Sequence, residues 1–99
     1  IVSGLPGDNF LFGGSDDDTV YGGEGDDSMA GDSGDDDLSA FEGNDIVNGN
    51  DGNDNVLGGD NDDLLSGGPG VTDKCDGEGG TDGYNGPNPA GCETIISIP

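Results

Sequence analysis

The chain has 99 residues, enough for one domain, and only 27% of them are hydrophobic. Acidic residues number 23 against a single base, Lys74, for a net charge of −22, which excludes electrostatic binding to nucleic acid or to anionic membranes and favours cations. With 23 Gly and 5 Pro the composition alone suggests disorder, no apolar run is long enough to span a bilayer, and none reads as a signal peptide. A first residue of Ile1 in place of Met is expected of a mature product or an excised fragment.

Periodicity decides against disorder. From Gly4 the chain stacks in nines through Ser66 without an insertion, as GLPGDNFLF, GGSDDDTVY, GGEGDDSMA, GDSGDDDLS, AFEGNDIVN, GNDGNDNVL and GGDNDDLLS. The sixth position holds Asn9, Asp18, Asp27, Asp36, Asp45, Asp54 and Asp63. The eighth holds Leu11, Val20, Met29, Leu38, Val47, Val56 and Leu65. Disordered acidic tracts do not keep an apolar residue in fixed phase over such a span.

Residues 1–12 form the expected N-terminal capping repeat. Asn9 stands where Asp is expected, and Phe10 and Phe12 flank Leu11. The Phe pair is expected to cover the open end of the stack, in preference to forming a partner-binding patch. Residues 13–85 form the repeat array. Position one is Gly in the regular units except for Ala40. Position four is Gly7, Asp16, Gly25, Gly34, Gly43, Gly52 and Asn61, and Asp and Asn are the non-Gly types that best tolerate positive φ. The last three residues of each unit, such as Thr19-Val20-Tyr21, suit a very short strand with the middle side chain inward. GGPGVTDKCD carries one extra residue and places Asp73 in the acidic role and Cys75 inward. GEGGTDGYN restores the register with Asp82 and Tyr84. Residues 86–99 form an expected capping loop and strand, GPNPAG followed by ETIISIP; a secretion signal is the rival reading of this tail.

The pattern G-G-x-G-x-D-x-U-x resembles the repeats-in-toxin (RTX, haemolysin-type) calcium-binding family over roughly residues 4–85. The resemblance implies an all-β, right-handed parallel β-roll (β-solenoid) of nine-residue turn–strand repeats, two repeats per coil. Units two apart would stack as parallel strands about 4.8 Å apart. One wall would turn Leu11, Met29, Val47 and Leu65 inward, and the other Val20, Leu38 and Val56.

The same stacking sets Asn9, Asp27, Asp45, Asp63 and Asp82 in one row and Asp18, Asp36, Asp54 and Asp73 in the other. Carboxylates about 5 Å apart repel by roughly 3 kcal/mol per pair at an effective dielectric near 20. Lys74 alone cannot neutralise them. A hard divalent cation between successive turns can, and calcium accepts the carboxylate and carbonyl oxygens such turns offer, whereas magnesium demands stricter geometry. The absence of His disfavours zinc. The gaps 9/27, 27/45, 45/63, 18/36, 36/54 and 54/73 predict about six ions, with 9/27 weakened by Asn9 and a further site at 63/82. Asp17, Asp26, Asp35, Asp37 and Asp62, at positions five and seven, are expected to be solvated surface. Turns lacking the second Gly, at Asp32, Phe41 and Asn50, are expected to be altered.

With so thin a core, the chain is expected to be disordered without metal, unfolded at cytosolic calcium and folded outside the cell. An extracellular setting favours a Cys75–Cys92 disulfide, closing a loop of about 18 residues and contributing roughly 3 kcal/mol; a buried thiol and intermolecular pairing are the alternatives. The leading functional expectation is a non-enzymatic, secreted or cell-surface bacterial calcium-binding module. It would be monomeric, free-standing or part of a larger exoprotein. The alternatives are an accessory domain of a secreted enzyme or toxin, and an adhesion or mineral-binding surface. Positions seven and nine hold no Thr ladder of the kind ice binding requires. No nucleophile sits beside a base, so catalysis is not expected.

Overall fold

The computed structural model describes residues 1–69 and 73–79, together with the backbone of residues 83–84 and 94–95. Two parallel sheets alternate along the chain. The first holds β1 (Val2–Ser3), β3 (Thr19–Glu24), β5 (Asp37–Glu42), β7 (Asn55–Asp60), β9 (Lys74–Asp76) and β11 (Thr94–Ile95), in that order. The second holds β2 (Phe10–Ser15), β4 (Ser28–Ser33), β6 (Ile46–Asp51), β8 (Leu64–Ser66) and β10 (Gly83–Tyr84). Each strand pairs with the strand two further on, so one coil contains two nine-residue units, and the molecule is a parallel β-roll. No helix occurs among the described residues.

The registers place the eighth positions in line. Leu11, Met29, Val47 and Leu65 pair in one sheet, and Val20, Leu38, Val56 and Cys75 in the other. All eight are buried, and they are joined by Ala40. The core is thus one side chain per rung from each wall. The inserted residue of the unit at 67–76 is absorbed in its turn, since Val56 still pairs with Cys75 and Leu57 with Asp76.

Two expectations change. The strands are six residues long in the regular array, not three. Each continues through positions one to three of the next unit, where the position-one residue is buried in Gly22, Gly31, Ala40, Gly49, Gly58 and Gly67. The Phe pair does not cover the open end: Phe10 and Phe12 are 80% and 61% exposed. Adjacent strand residues face opposite sides, so an inward Leu11 forces both neighbours outward. The end is instead extended by β1, whose Val2 pairs with Val20 and packs against the core.

The turns are uniform. Position four has positive φ in every unit from Gly7 to Asn61, including the non-Gly residues Asp16 (74°) and Asn61 (78°). Position two does too from Gly14 to Gly68, and Asp32, Phe41 and Asn50 keep that conformation without altering their turns. A second force acts at position four. A Cβ on Gly34, Gly43 or Gly52 would collide with the position-four carbonyl of the preceding rung, Asp16 O, Gly25 O or Gly34 O. Asp16 escapes this because it opens its own stack, whereas Asn61, stacked on Gly43, carries a Cβ there and accepts from Gly43 N at 3.3 Å.

Candidate metal centre

Every turn ends in the position-six residue, and the strand that follows fixes it. Its carbonyl accepts from the position-seven N–H of the next rung in the same sheet, as in Asn55 N to Asp36 O (2.8 Å) and Leu64 N to Asp45 O (2.8 Å). Its carboxylate reaches the other way. Asp27 Oδ1 accepts from Asn9 N (2.8 Å), Asp36 Oδ1 from Asp18 N (2.7 Å) and Asp45 Oδ1 from Asp27 N (2.7 Å). Asp54, Asp63 and Asp73 accept in the same way from Asp36 N (2.9 Å), Asp45 N (2.8 Å) and Asp54 N (2.7 Å). Two continuous side-chain ladders follow, one on each edge of the roll, made of the residues the sequence places there.

These carboxylates are buried. Asp27, Asp36, Asp45, Asp54, Asp63 and Asp73 are no more than 3% exposed, and Asp18 is half-buried. The second oxygens, Oδ2 of Asp18, Asp27, Asp36, Asp45 and Asp54, are buried without a hydrogen-bond partner. Such an atom costs about 1–3 kcal/mol, more when charged. Burial pushes the Asp45 carboxyl up to about 6 and Asp54 up to about 7, against the opposing effect of the backbone N–H each accepts; neighbouring carboxylates add to the rise. Asp36 is raised by the same causes, burial first.

Rows of buried, half-satisfied carboxylates with oxygen-only surroundings fit a hard cation. Among the described residues no three acidic, His or Cys side chains converge on one point. Calcium takes six to eight oxygens, so a site here must combine position-six carboxylates with turn carbonyls. Asn9 lies in the 9/27 gap as expected, but as a hydrogen-bond donor. Its Nδ2 donates to Leu5 O (2.5 Å), Gly7 O (2.7 Å) and Asp27 Oδ1 (3.1 Å). Asp82 lies outside the described residues. Cys75 is buried in β9, whereas Cys92 lies outside the described residues.

Position five builds a second pair of ladders. The position-five side chains are exposed, as expected, yet they form ladders of opposite sense. Asp8 Oδ1 accepts from Asp26 N (2.9 Å), Asp17 from Asp35 N (2.8 Å), Asp26 from Asn44 N (2.9 Å), Asp35 from Asn53 N (2.9 Å), and Asn44 from Asp62 N (3.0 Å). Their signal was present in the sequence, since position five is Asp or Asn in every unit through Asp62.

No curated protein and no solved structure matches the chain. The profile of the RTX calcium-binding nonapeptide repeat, in 4 copies, matches residues 3–38 and 39–71. With the period, the parallel roll and the buried acidic ladders in agreement, the chain belongs to the RTX calcium-binding nonapeptide repeat family, and it is a calcium-binding structural repeat module.

Proposed function

We propose that the chain is an extracellular module that folds on binding about six calcium ions between stacked turns. The ions' ligands would be the carboxylates of Asp18, Asp27, Asp36, Asp45, Asp54, Asp63, Asp73 and Asp82 with turn carbonyls. The observation that carries this reading is the row of buried Oδ2 atoms without partners. Bound calcium supplies the positive charge those oxygens lack. Five gaps, 18/36, 27/45, 36/54, 45/63 and 54/73, have Asp on both sides, and 63/82 completes the six.

The module's work is structural and not enzymatic: it holds a stable roll where calcium is plentiful, as a free protein or as a domain of a larger secreted bacterial protein. Residues 1–12 and 86–99 bound the array as end pieces. A Cys75–Cys92 disulfide would brace the far end; Cys92 precedes by three residues Ile95, the ladder partner of Cys75. The alternative, an accessory calcium-dependent domain of a secreted enzyme or toxin, makes the same physical demand on these residues.

Far-UV circular dichroism during a calcium titration, with magnesium as control, tests the proposal. A cooperative gain of β signal with calcium alone is expected. A spectrum already folded in chelator would overturn it.

A further inference from the structure

We propose that Asn9 fills the first inter-turn gap with its own side-chain amide, so that this turn of the roll closes without an ion. The inference rests on reading the later gaps as calcium sites.

Three oxygens converge on Asn9 Nδ2: the position-two carbonyl of Leu5, the position-four carbonyl of Gly7, and Oδ1 of Asp27 from the next rung. The Asn9 backbone N–H donates to that same carboxylate oxygen at 2.8 Å. Oxygens gathered around one point repel, and the group at their centre must bring hydrogen or positive charge. The amide brings two N–H bonds and shares them among the three acceptors. A carboxylate brings neither.

The position that Nδ2 takes is the one Oδ2 takes in later units. A Cβ built on Gly4 would stand 3.2 Å from Asn9 Nδ2; one on Gly13 would stand 3.0 Å from Asp18 Oδ2, and one on Gly22 2.7 Å from Asp27 Oδ2. The repeat therefore turns Oδ2 of Asp18, Asp27, Asp36 and Asp54 each toward its own turn, where the first unit has a donor. That is why Oδ2 of Asp18, Asp27, Asp36, Asp45 and Asp54 lacks a partner while Asn9 has three. The first gap is complete in the chain's own atoms, whereas Asp18, Asp27, Asp36, Asp45 and Asp54 each keep an Oδ2 without a hydrogen-bond partner.

The consequence is directional. The first turn is tied to the second coil by Gly4 N to Tyr21 O (2.8 Å) and Gly7 N to Glu24 O (2.9 Å), and Val2 packs on the core beside it. This end is closed by the chain's own hydrogen bonds, and the first calcium-dependent rung stacks on it. Forming the first coil is the costly step of a solenoid, because each later repeat gains a neighbour to pair with.

The test compares the wild-type chain with Asn9→Asp and Asn9→Ala. Native mass spectrometry at saturating calcium counts ions, and circular dichroism gives the calcium midpoint of folding. Asn9→Asp is expected to bind one more ion than wild type and to need more calcium to fold. Asn9→Ala is expected to keep the wild-type count with a raised midpoint. In the calcium-loaded wild type, the Asn9 side-chain amide protons are expected to be protected from exchange by NMR. An Asn9→Asp chain with the wild-type count, or one that stays unfolded in saturating calcium, overturns the inference, as do rapidly exchanging Asn9 amide protons. A wild-type chain that binds no calcium refutes the underlying reading instead.

Discussion

Replacing Asp45 by Asn should reverse its sign with calcium. Asp45 is 1% exposed, accepts from Asp27 N at 2.7 Å, and stands between the gaps 27/45 and 45/63. Asn keeps an Oδ1 to accept that bond. It replaces Oδ2, buried without a partner, by an N–H donor, the substitution that the repeat itself makes at Asn9. In chelator at pH 7.5 the wild-type carboxyl, raised to about 6 by burial, is ionised at a cost that the amide avoids. The variant should therefore hold more β structure than wild type. With calcium the order inverts, because two gaps lose a charged ligand. At about 1 mM calcium and Kd near 0.1 mM, each site contributes about 1.4 kcal/mol, so losing two costs roughly 3 kcal/mol. For a domain of this size that lowers Tm by roughly 10–20 °C. The far-UV circular dichroism signal in chelator checks the first half, and thermal melts in calcium check the second. No gain of β signal in chelator, or an unchanged Tm in calcium, would refute the reasoning.

Acid should substitute for metal in part. The folded-state values of Asp45 and Asp54, about 6 and about 7, lie above the ordinary carboxyl value of 3.8, and Asp36 is raised as well. A raised folded value means stability present below about pH 4 and lost as pH rises through 6 to 7; the chain in chelator should gain β signal on acidification from pH 8 to 4, and an acid-induced loss would contradict the burial. Gly52→Ala and Gly14→Ala both place a side chain at positive φ, 123° and 104°. Only the first also meets Gly34 O, and nothing lies within 4 Å of the second, so Gly14→Ala should cost about 1–2 kcal/mol and Gly52→Ala clearly more, read as the shift in calcium midpoint. Leu38, fully buried with one apolar partner per rung around it, should cost about 2–5 kcal/mol when cut to Ala, measured by the same melts in calcium.

The period of nine made the row of apolar eighth positions legible, and the resemblance to the RTX repeat supplied the coil and the pairing of units two apart, down to the register of Leu11, Met29, Val47 and Leu65. Strand length was hidden because the second half of most strands is Gly and polar residues, with no apolar residue at its inward position. Position one is buried, yet Gly carries no hydropathy signal; Ala40, an apolar residue fully buried where its neighbours have Gly, was the visible trace. The outward turn of Phe10 and Phe12 is itself legible in the sequence, since side-chain alternation alone turns both away from the face of Leu11. Asn9 looked like a weakened ligand because sequence shows the missing charge, and only coordinates show three oxygens facing the nitrogen that replaced it.

The choice between Asp and Asn along the chain follows from what each ladder asks of its side chain. Position five needs one acceptor in water-exposed surroundings, and either residue supplies it: Asn44 Oδ1 accepts from Asp62 N as Asp26 Oδ1 does from Asn44 N. Asn accordingly stands at 44 and 53 among Asp at 8, 17, 26, 35 and 62. Position six needs one acceptor for the rung before it and something further for its own turn. From residue 18 through residue 73 every such position is Asp, although Asn would serve the backbone N–H equally well. A buried negative charge with a partnerless oxygen is a poor solution to a hydrogen-bonding problem and a good one for holding a divalent cation. The two ladders reach in opposite directions along the roll, so each turn is clamped to both neighbours by backbone N–H groups from adjacent residues. That clamp sets the carboxylates in place, and under the proposed function it is their repulsion that would make the finished roll depend on calcium.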